Sequence, residues 1–356
     1  MWWNTLRMLR KVQNGGLEKT SWGFNKGTPN ALQKVYKKYA SIVISDAVAQ
    51  GTKIMGIFSR FQSGNFNITR YYTREDLNVI TQNYSHSLGC RPDAVNKGTF
   101  FHKGTLKDNT LVAVNKICDV PVSLWNNCII AERILNKIVH SNIIKLIGYG
   151  IDGGLIFLYE YAAKGSLSEI LHSEKDFPLE LRIMIAIKTA EAIAYLHSSE
   201  FGVIQHGNIK PSKILINDSF MPKISGVSIS RNLTMDGDEG SVAGKSKLLY
   251  LDPGFRESGH LTVESDAYSF GIVLLELICR KKPISNSGPL LRKYIEAYKT
   301  DKGGKSMFDK DISVDEDICI LEEIGKLALM CVSLNVNERR TMKEVAEHLR
   351  MLREEV

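Results

Sequence analysis

Residues 203 to 216 read VIQHGNIKPSKILI. The polar side chains of this run are Gln205, His206, Asn208, Lys210, Ser212 and Lys213, and none is a carboxylate. That bounds its chemistry. Asn208 is an amide and does not serve as a carboxylate base at neutral pH. Lys213 is an ammonium, with three donors and no acceptor, and cannot ligate a cation. Outward from this run the elements are regular. Just upstream, LRIMIAIKTAEAIAYLHSS (181 to 199) repeats Ile183, Ile187, Ala190, Ala194 and His197 at steps of three and four, which predicts a long helix. Downstream, DAYSFGIVLLELICR (266 to 280) is apolar enough to predict a buried helix. Residues 319 to 334 and 342 to 353 predict two more. Toward the N-terminus, LVAVNKI (111 to 117) is a β-branched run bounded by Asp108 and Asn109, hence a strand, and LIFLYEY (155 to 161) is another. Residues 124 to 139 carry a helical pattern. Strands first and helices second predict an α+β, two-lobed fold: a β-rich first lobe and an α-helical second.

The 356 residues are 44% hydrophobic and 24% charged, an ordinary globular composition. The net charge of +7 is unevenly placed. Of 46 Lys and Arg, 11 fall in residues 1 to 70 beside 2 acidic residues, leaving 35 basic and 37 acidic residues in the remainder. The basic character belongs to an N-terminal arm. The expected organisation is an arm over 1–77 and a domain over 78–352. The six cysteines (Cys90, Cys118, Cys128, Cys279, Cys319, Cys331) form no CxxC pair, and most lie in apolar runs. They are expected to be reduced, buried thiols of a cytosolic protein, without a zinc site. The most apolar stretch, SIVISDAVAQGTKIMGIF (41 to 58), contains Asp46 and Lys53 and is not an uninterrupted membrane span. MWWNTLRMLRKV at the start has no clear secretory cleavage pattern. It sets Trp2, Trp3, Leu6, Leu9 and Val12 near Arg7, Arg10 and Lys11. ALQKVYKKYASIV (31 to 43) adds Lys34, Lys37 and Lys38. Either stretch suits an anionic membrane surface or a solvated, partner-bound helix. Nucleic-acid binding has the charge but no recognisable module, and is not expected.

Several strings now combine in order and spacing: NIIKLIGYG (142 to 150), YEYAAKGSLSEILH (159 to 172), AEAIAYLHS (190 to 198), IKPSKILI (209 to 216), YLDPGF (250 to 255) and SDAYSFGIVLLELI (265 to 278). On them, the region from about 78 to 352 resembles a plant receptor-like kinase domain, closest to the wall-associated-kinase-like and receptor-like cytoplasmic kinases. The resemblance implies the two-lobed kinase fold. It also shows what the chain has replaced. In the family pattern H-R-D-L-x-x-x-N, the Asp is the base and the Asn holds a metal ion. Here Gly207 stands for the Arg, Asn208 for the base and Lys213 for the metal ligand. In the family's K-I-S-D-F-G, Gly226 stands for the metal-binding Asp, followed by Val227 and Ser228. In V-A-I-K, Asn115 stands for the lysine, and Lys116 one step on faces the other way in a strand. The lysine's Glu partner would fall on Ala131, with Glu132 adjacent. The phosphate loop, LGCRPDAVNKGTFFHKG (88 to 104), keeps only Gly89 and Gly98 in its turn and contains Pro92, so it makes a poor phosphate cradle.

The resemblance leaves a scaffold and removes the chemistry. His206 and Asp266 match positions that brace the catalytic loop against the buried helix. Arg339 matches an Arg near the domain's end whose usual Glu partner falls on Gly254, so no ion pair is expected there. Thr234, Ser241 and Ser246 lie in the stretch matching the activation segment and are candidates for modification in trans. A catalytically inactive adaptor or decoy in plant signalling, in immunity, is the expectation. Other kinases or an intracellular immune receptor would be its partners, in the cytoplasm or peripherally at the plasma membrane. No cofactor is expected, or ATP without productive magnesium, with Lys116 and Lys210 as the nucleotide-facing candidates. The alternatives are an active Ser/Thr kinase using Lys116 or Lys97 as a displaced lysine, and a nucleotide-binding switch without catalysis.

Overall fold

The computed structural model describes residues 70–88, 99–117, 139–173, 176–199, 202–227, 248–285 and 288–354. All belong to one compact unit, Asn67–Val356. The first lobe is a five-stranded sheet of β1 (Arg70–Tyr72), β2 (Thr99–Thr105), β3 (Leu111–Ile117), β4 (Leu146–Ile151) and β5 (Leu155–Glu160), in the order β1-β4-β5-β3-β2. β1 runs parallel to β4, and the other pairs are antiparallel. Alternation along the strands gives the sheet two faces. Val112, Val114, Ile156 and Leu158 pack with Tyr72 and with Leu77 and Ile80 of α1 (Arg74–Thr81). Leu146, Leu155 and Phe157 form a separate cluster on the opposite face. Residues 70–77, counted with the arm on composition, thus belong to this sheet and its covering helix, and the expected boundary at 77/78 falls inside α1.

The second lobe is helical: α2 (Leu167–Leu171), α3 (Leu179–His197), α4 (Pro253–Ser258), α5 (Val263–Cys279), α6 (Leu290–Asp301), α7 (Ile318–Cys331) and α8 (Met342–Arg353). Two hairpins, β6 (Ile214–Ile216) with β7 (Pro222–Ile224) and β8 (Ile284–Ser285) with β9 (Gly288–Pro289), complete it. α5 is its axis. Every residue from Ser265 to Cys279 is buried. The helix starts at a capping box, in which Thr262 accepts from Ser265 N and Ser265 reaches back to the Thr262 backbone. α8 starts the same way, at Thr341 and Glu344. α7 packs along α5 and α8 along α3. The first contact depends on Gly271, where a Cβ would lie 2.8 Å from both Cys331 Cβ and Val332 Cγ1. The lobes are strapped together at β7. Ile144 N donates to Ile224 O, Asn142 Nδ2 donates to Pro222 O, and Lys223 Nζ lies 2.9 Å from Glu160 Oε2.

The strands expected at 111–117 and 155–161 and the helices expected at 181–199, 266–280, 319–334 and 342–353 lie where the sequence puts them, within a few residues. The helix expected over 124–139 lies outside the described residues but for its last residue. Cys279 and Cys331 are buried free thiols, and burial pushes both up to about 12. Cys319 departs from the expectation of burial: it is exposed near the start of α7. Cys90, Cys118 and Cys128 lie outside the described residues.

Candidate functional site

The loop 206–213 hangs between α3 and β6. Its brace is Asp266 at the start of α5, fully buried. Asp266 Oδ2 accepts from His206 N at 2.7 Å and meets His197 Nε2 at 2.9 Å, and Oδ1 accepts from Gly207 N at 2.7 Å. One carboxylate thereby fixes two consecutive loop amides and the end of α3. Bonds from N–H donors to a charged acceptor are among the stronger ones a fold contains. His206 is also fully buried, and its Nδ1 accepts from Asn208 N at 3.2 Å. Burial pulls its imidazole down to about 4; the Asp266 charge opposes this and the Lys213 charge adds to it. The ring is therefore neutral at pH 7, as an accepting Nδ1 requires. The bracing roles expected of His206 and Asp266 are thus visible as named bonds.

Gly207 is left-handed (φ +70°), and a Cβ there would fall 2.6 Å from Leu261 Cδ2. An arginine at 207 would be both strained and crowded. The half-buried Asn208 follows, then the buried Ile209 and Lys210. Pro211–Lys213 form one 3-10 turn. The far side of the site is the segment after β7. Ser225 N donates to Lys213 O at 2.8 Å, which holds the two segments together. Gly226 is exposed and left-handed (φ +71°), and the Lys213 side chain lies over it. A Cβ on Gly226 would be 3.3 Å from Lys213 Nζ and from its Cδ. The ammonium therefore stands where a side chain at 226 would begin. Val227 turns inward and joins the core.

β3 sorts the two candidates for the strand lysine. Asn115 is paired with Phe157, on the face opposite α1, and its Oδ1 is shielded from solvent without a hydrogen-bond partner. Lys116 points to the α1 face. Its Nζ lies 3.1 Å from Asp152 Oδ2 and 4.3 Å from the centre of the Tyr84 ring, while Arg74 Nε lies 2.9 Å from Asp152 Oδ1. Burial raises the Asp152 carboxyl, but Lys116, the Tyr84 side chain and Arg74 together outweigh it and the net shift is downward. Lys116 is thus part of the clasp that holds α1 to the sheet, and the expectation that it faces a nucleotide is corrected on geometry. The other alternative lysine, Lys97, lies outside the described residues, as do Ala131, Glu132, Gly89, Pro92, Gly98, Thr234, Ser241 and Ser246.

The expectation that Arg339 lacks an ion pair is also corrected. Its Nη1 and Nη2 donate to Asp252 Oδ2 and Oδ1, each at 2.8 Å, and both side chains are almost wholly buried. Asp252 sits two residues before the expected position at Gly254. It also accepts from Ser265 Oγ at 2.9 Å and caps α4 through Gly254 N at 3.0 Å. The signal was in the sequence: Asp followed by Pro is an N-cap ahead of a proline at the first helical position. Next to it, Tyr250 Oη donates to Glu276 Oε1 at 2.6 Å, deep in α5. Burial raises the Glu276 carboxyl.

A family profile described as protein tyrosine and serine/threonine kinase matches residues 93–349. The chain belongs to the protein kinase family. Among curated relatives in Arabidopsis thaliana it is 30% identical to "Wall-associated receptor kinase 3" over 296 residues, 80% of this chain and 39% of the relative. It is 31% identical to "Wall-associated receptor kinase-like 1" over 303 residues (82% and 41%) and 32% identical to "Wall-associated receptor kinase-like 5" over 301 residues (82% and 40%). The chain thus spans about two fifths of the length of these relatives. No described helix is long and apolar enough to cross a membrane.

Protein kinases act on ATP held with magnesium, and that pair tests the site. Magnesium takes oxygen ligands, usually one or two carboxylates with substrate phosphates. In this kinase domain neither 206–213 nor 222–227 contains a carboxylate. Among the described residues no group of three His, Cys, Asp or Glu could hold a metal ion. With an ammonium over Gly226, the residues present do not fit magnesium.

Proposed function

We propose that this chain is a kinase-fold scaffold that does not transfer phosphoryl groups. In plant signalling, in immunity, it would act as an adaptor or decoy for other kinases or for an intracellular immune receptor. The observation that carries the reading is the Lys213 ammonium lying over Gly226. Kinase chemistry needs a base at the attacking hydroxyl and metal ions on the phosphates. A positioned base is worth about 10²- to 10⁴-fold and the metal several kcal/mol. Here an amide stands for the base, and a cation and a glycine stand for the metal ligands. The clasp of Lys116 to Asp152 supports the same reading, because it occupies the lysine that an active alternative would recruit. The intact brace at Asp266 supports a role that needs the shape. The basic arm supports a cytoplasmic protein that reaches a membrane surface peripherally.

The test is phosphate transfer from labelled ATP by the purified full chain, with magnesium or manganese, to itself and to a generic substrate. No transfer above the Asn208→Ala background is expected. Transfer that Asn208→Ala or Lys210→Ala abolishes would sink the proposal.

A further inference from the structure

α6 is apolar on two sides. Leu290 and Tyr294 are buried in the core, whereas Leu291 and Ile295, one residue on from each, floor an open hollow of about 390 Å³ together with Pro289. Arg292, Glu296 and Lys299 form its rim, and the exposed Ile284 pairs with Pro289 across the β8–β9 hairpin. Residues four apart share one face of a helix, so Leu291, Ile295 and Lys299 make a single ridge. Positive charge collects around it. Residues 281–305 carry seven Lys or Arg and two acids, leaving 28 basic and 35 acidic residues in the rest of 71–356. Both acids are engaged: Asp301 accepts from Gly303 N, Gly304 N and Ser306 N, and Glu296 Oε1 lies 3.1 Å from Arg292 Nε. Lys299 and Lys302 are exposed, with no ion-pair partner among the described residues.

The chain also carries a segment of the opposite character. Val314, 53% exposed, is followed by Asp315, Glu316 and Asp317 just ahead of α7. None of these three carboxylates has an ion-pair partner among the described residues. The start of α7 is joined to the C-terminal end of α6: Lys305 Nζ lies 3.2 Å from Glu322 Oε1, and Tyr294 of α6 lies against Gly325 of α7. The basic hollow and the acidic segment therefore belong to one side of the second lobe. An interface between two copies related by a two-fold axis uses the same patch on both, and the patch must complement itself. A flat anionic membrane would match the charge but leave the concave apolar floor unfilled, so the shape favours a protein segment with an apolar side chain.

We infer that this face is a contact between two copies of the chain, in which Val314 of each enters the α6 hollow of the other and Asp315 and Glu316 meet Arg292 and Lys299 at its rim. Exposed ion pairs contribute little singly and are screened by salt, so the dimer is weak, reversible and salt-sensitive, with the apolar floor as its core. The contact goes beyond the proposed function and does not depend on whether the cleft transfers phosphate.

The experiment is sedimentation equilibrium of the full chain over a range of concentrations, at about 50 mM and about 500 mM sodium chloride. A monomer–dimer equilibrium is expected, with Kd rising severalfold at the higher salt. Arg292→Glu/Lys299→Glu and Asp315→Lys/Glu316→Lys should each weaken the dimer about tenfold or more, because like charges then face each other. Ile295→Ser, which alters the floor without altering charge, should weaken it severalfold. An equimolar mixture of the two charge-reversed variants should recover a dimer about as tight as the parent's, since each reversed rim then meets a reversed segment. None of the substituted side chains is buried, and urea midpoints and circular dichroism matched to the parent chain would show that the variants are folded. A chain that stays monomeric, a dimer that neither reversal weakens, or a mixture no tighter than its components would overturn the inference. A monomer that binds phosphatidylserine vesicles, and loses them on Lys299→Glu, would also overturn it and give the face to a membrane.

Discussion

Replacing Asp252 by alanine removes one carboxylate and strands several donors at once. The arginine left behind, Arg339, has a side chain 1% exposed, and its two bonds to Asp252 are 2.8 Å each. Breaking a buried pair by deleting one partner costs about 3–5 kcal/mol, because the remaining charge is desolvated without compensation. The α4 cap and the Ser265 bond go with it, but these overlap the same oxygens and do not add in full. Arg339 keeps its bonds to Ser333 O and Glu264 O, which softens the loss. The expected destabilisation is therefore about 4 kcal/mol, roughly 10 °C in Tm for a domain of this size. Urea unfolding followed by fluorescence measures it, with the slope checked for two-state behaviour. The double variant Asp252→Ala/Arg339→Met should lose less than the sum of the single variants, since no unpaired charge remains. A carboxylate restored two residues on, by Asp252→Ala/Gly254→Glu, should recover part of the loss; nothing but Asp252 itself lies near a Cβ at 254. The acid limb should change too. Burial raises the Asp252 carboxyl, but bonds from Arg339, Ser265 and Gly254 N outweigh it and lower it below its ordinary value. Its contribution is thus full above the unfolded carboxylate value and fades as pH falls through the lower folded value. A loss below about 1 kcal/mol, or strict additivity in the double variant, would refute the ion pair as the lock between α4 and the end of the domain.

His206 is held neutral, with a folded value of about 4 against 6.5 when exposed, so the unfolded chain binds more protons between those limits. Stability should fall by about 3 kcal/mol from this group as pH drops from 6.5 to 4; urea midpoints across that range check it, and His206→Asn should flatten the slope. Gly271→Ala should cost about 1–3 kcal/mol by forcing α5 and α7 apart, read as a lower urea midpoint with an unchanged slope.

The sequence carried the fold through patterns that depend on near neighbours. The apolar faces of α3, α5, α7 and α8 and the β-branched run of β3 report their own burial, so those elements were legible. So were the replacements at Asn115, Asn208, Lys213 and Gly226, because a motif fixes its own spacing. What escaped was pairing across long separations. Asp252 and Arg339 lie 87 residues apart, and the expectation of no ion pair came from reading the family's position rather than the local Asp-Pro cap. Lys116 and Asp152 are 36 residues apart, and nothing local marks Asp152 as its partner. β1 and α1 escaped because β1 has only three residues and its charged neighbours resemble the arm. The signal that survives is the capping box of Thr73 and Asp76, ahead of Leu77 and Ile80.

The brace and the cleft rest on different residues. The brace uses Asp266 and backbone amides, which do not depend on the residue types at 207 and 208. The loop therefore keeps its shape with Gly207 and Asn208 in place of an arginine and an acid. In the cleft the replacements support one another. Lys213 needs the open backbone of Gly226, and an aspartate restored at 226 would sit in a left-handed conformation against an ammonium 3.3 Å from its Cβ. That carboxylate would pair with Lys213 before it met a metal. Restoring asparagine at 213 alone would face a glycine and supply one neutral ligand. Each single reversion thus meets a neighbour suited to the present residues, and on the proposed function metal-dependent chemistry would need at least residues 208, 213 and 226 to change together, with a lysine at 115 besides. On the proposed function such a cleft resists single-residue reversion, while the fold that presents its surfaces is held by bonds those changes do not touch.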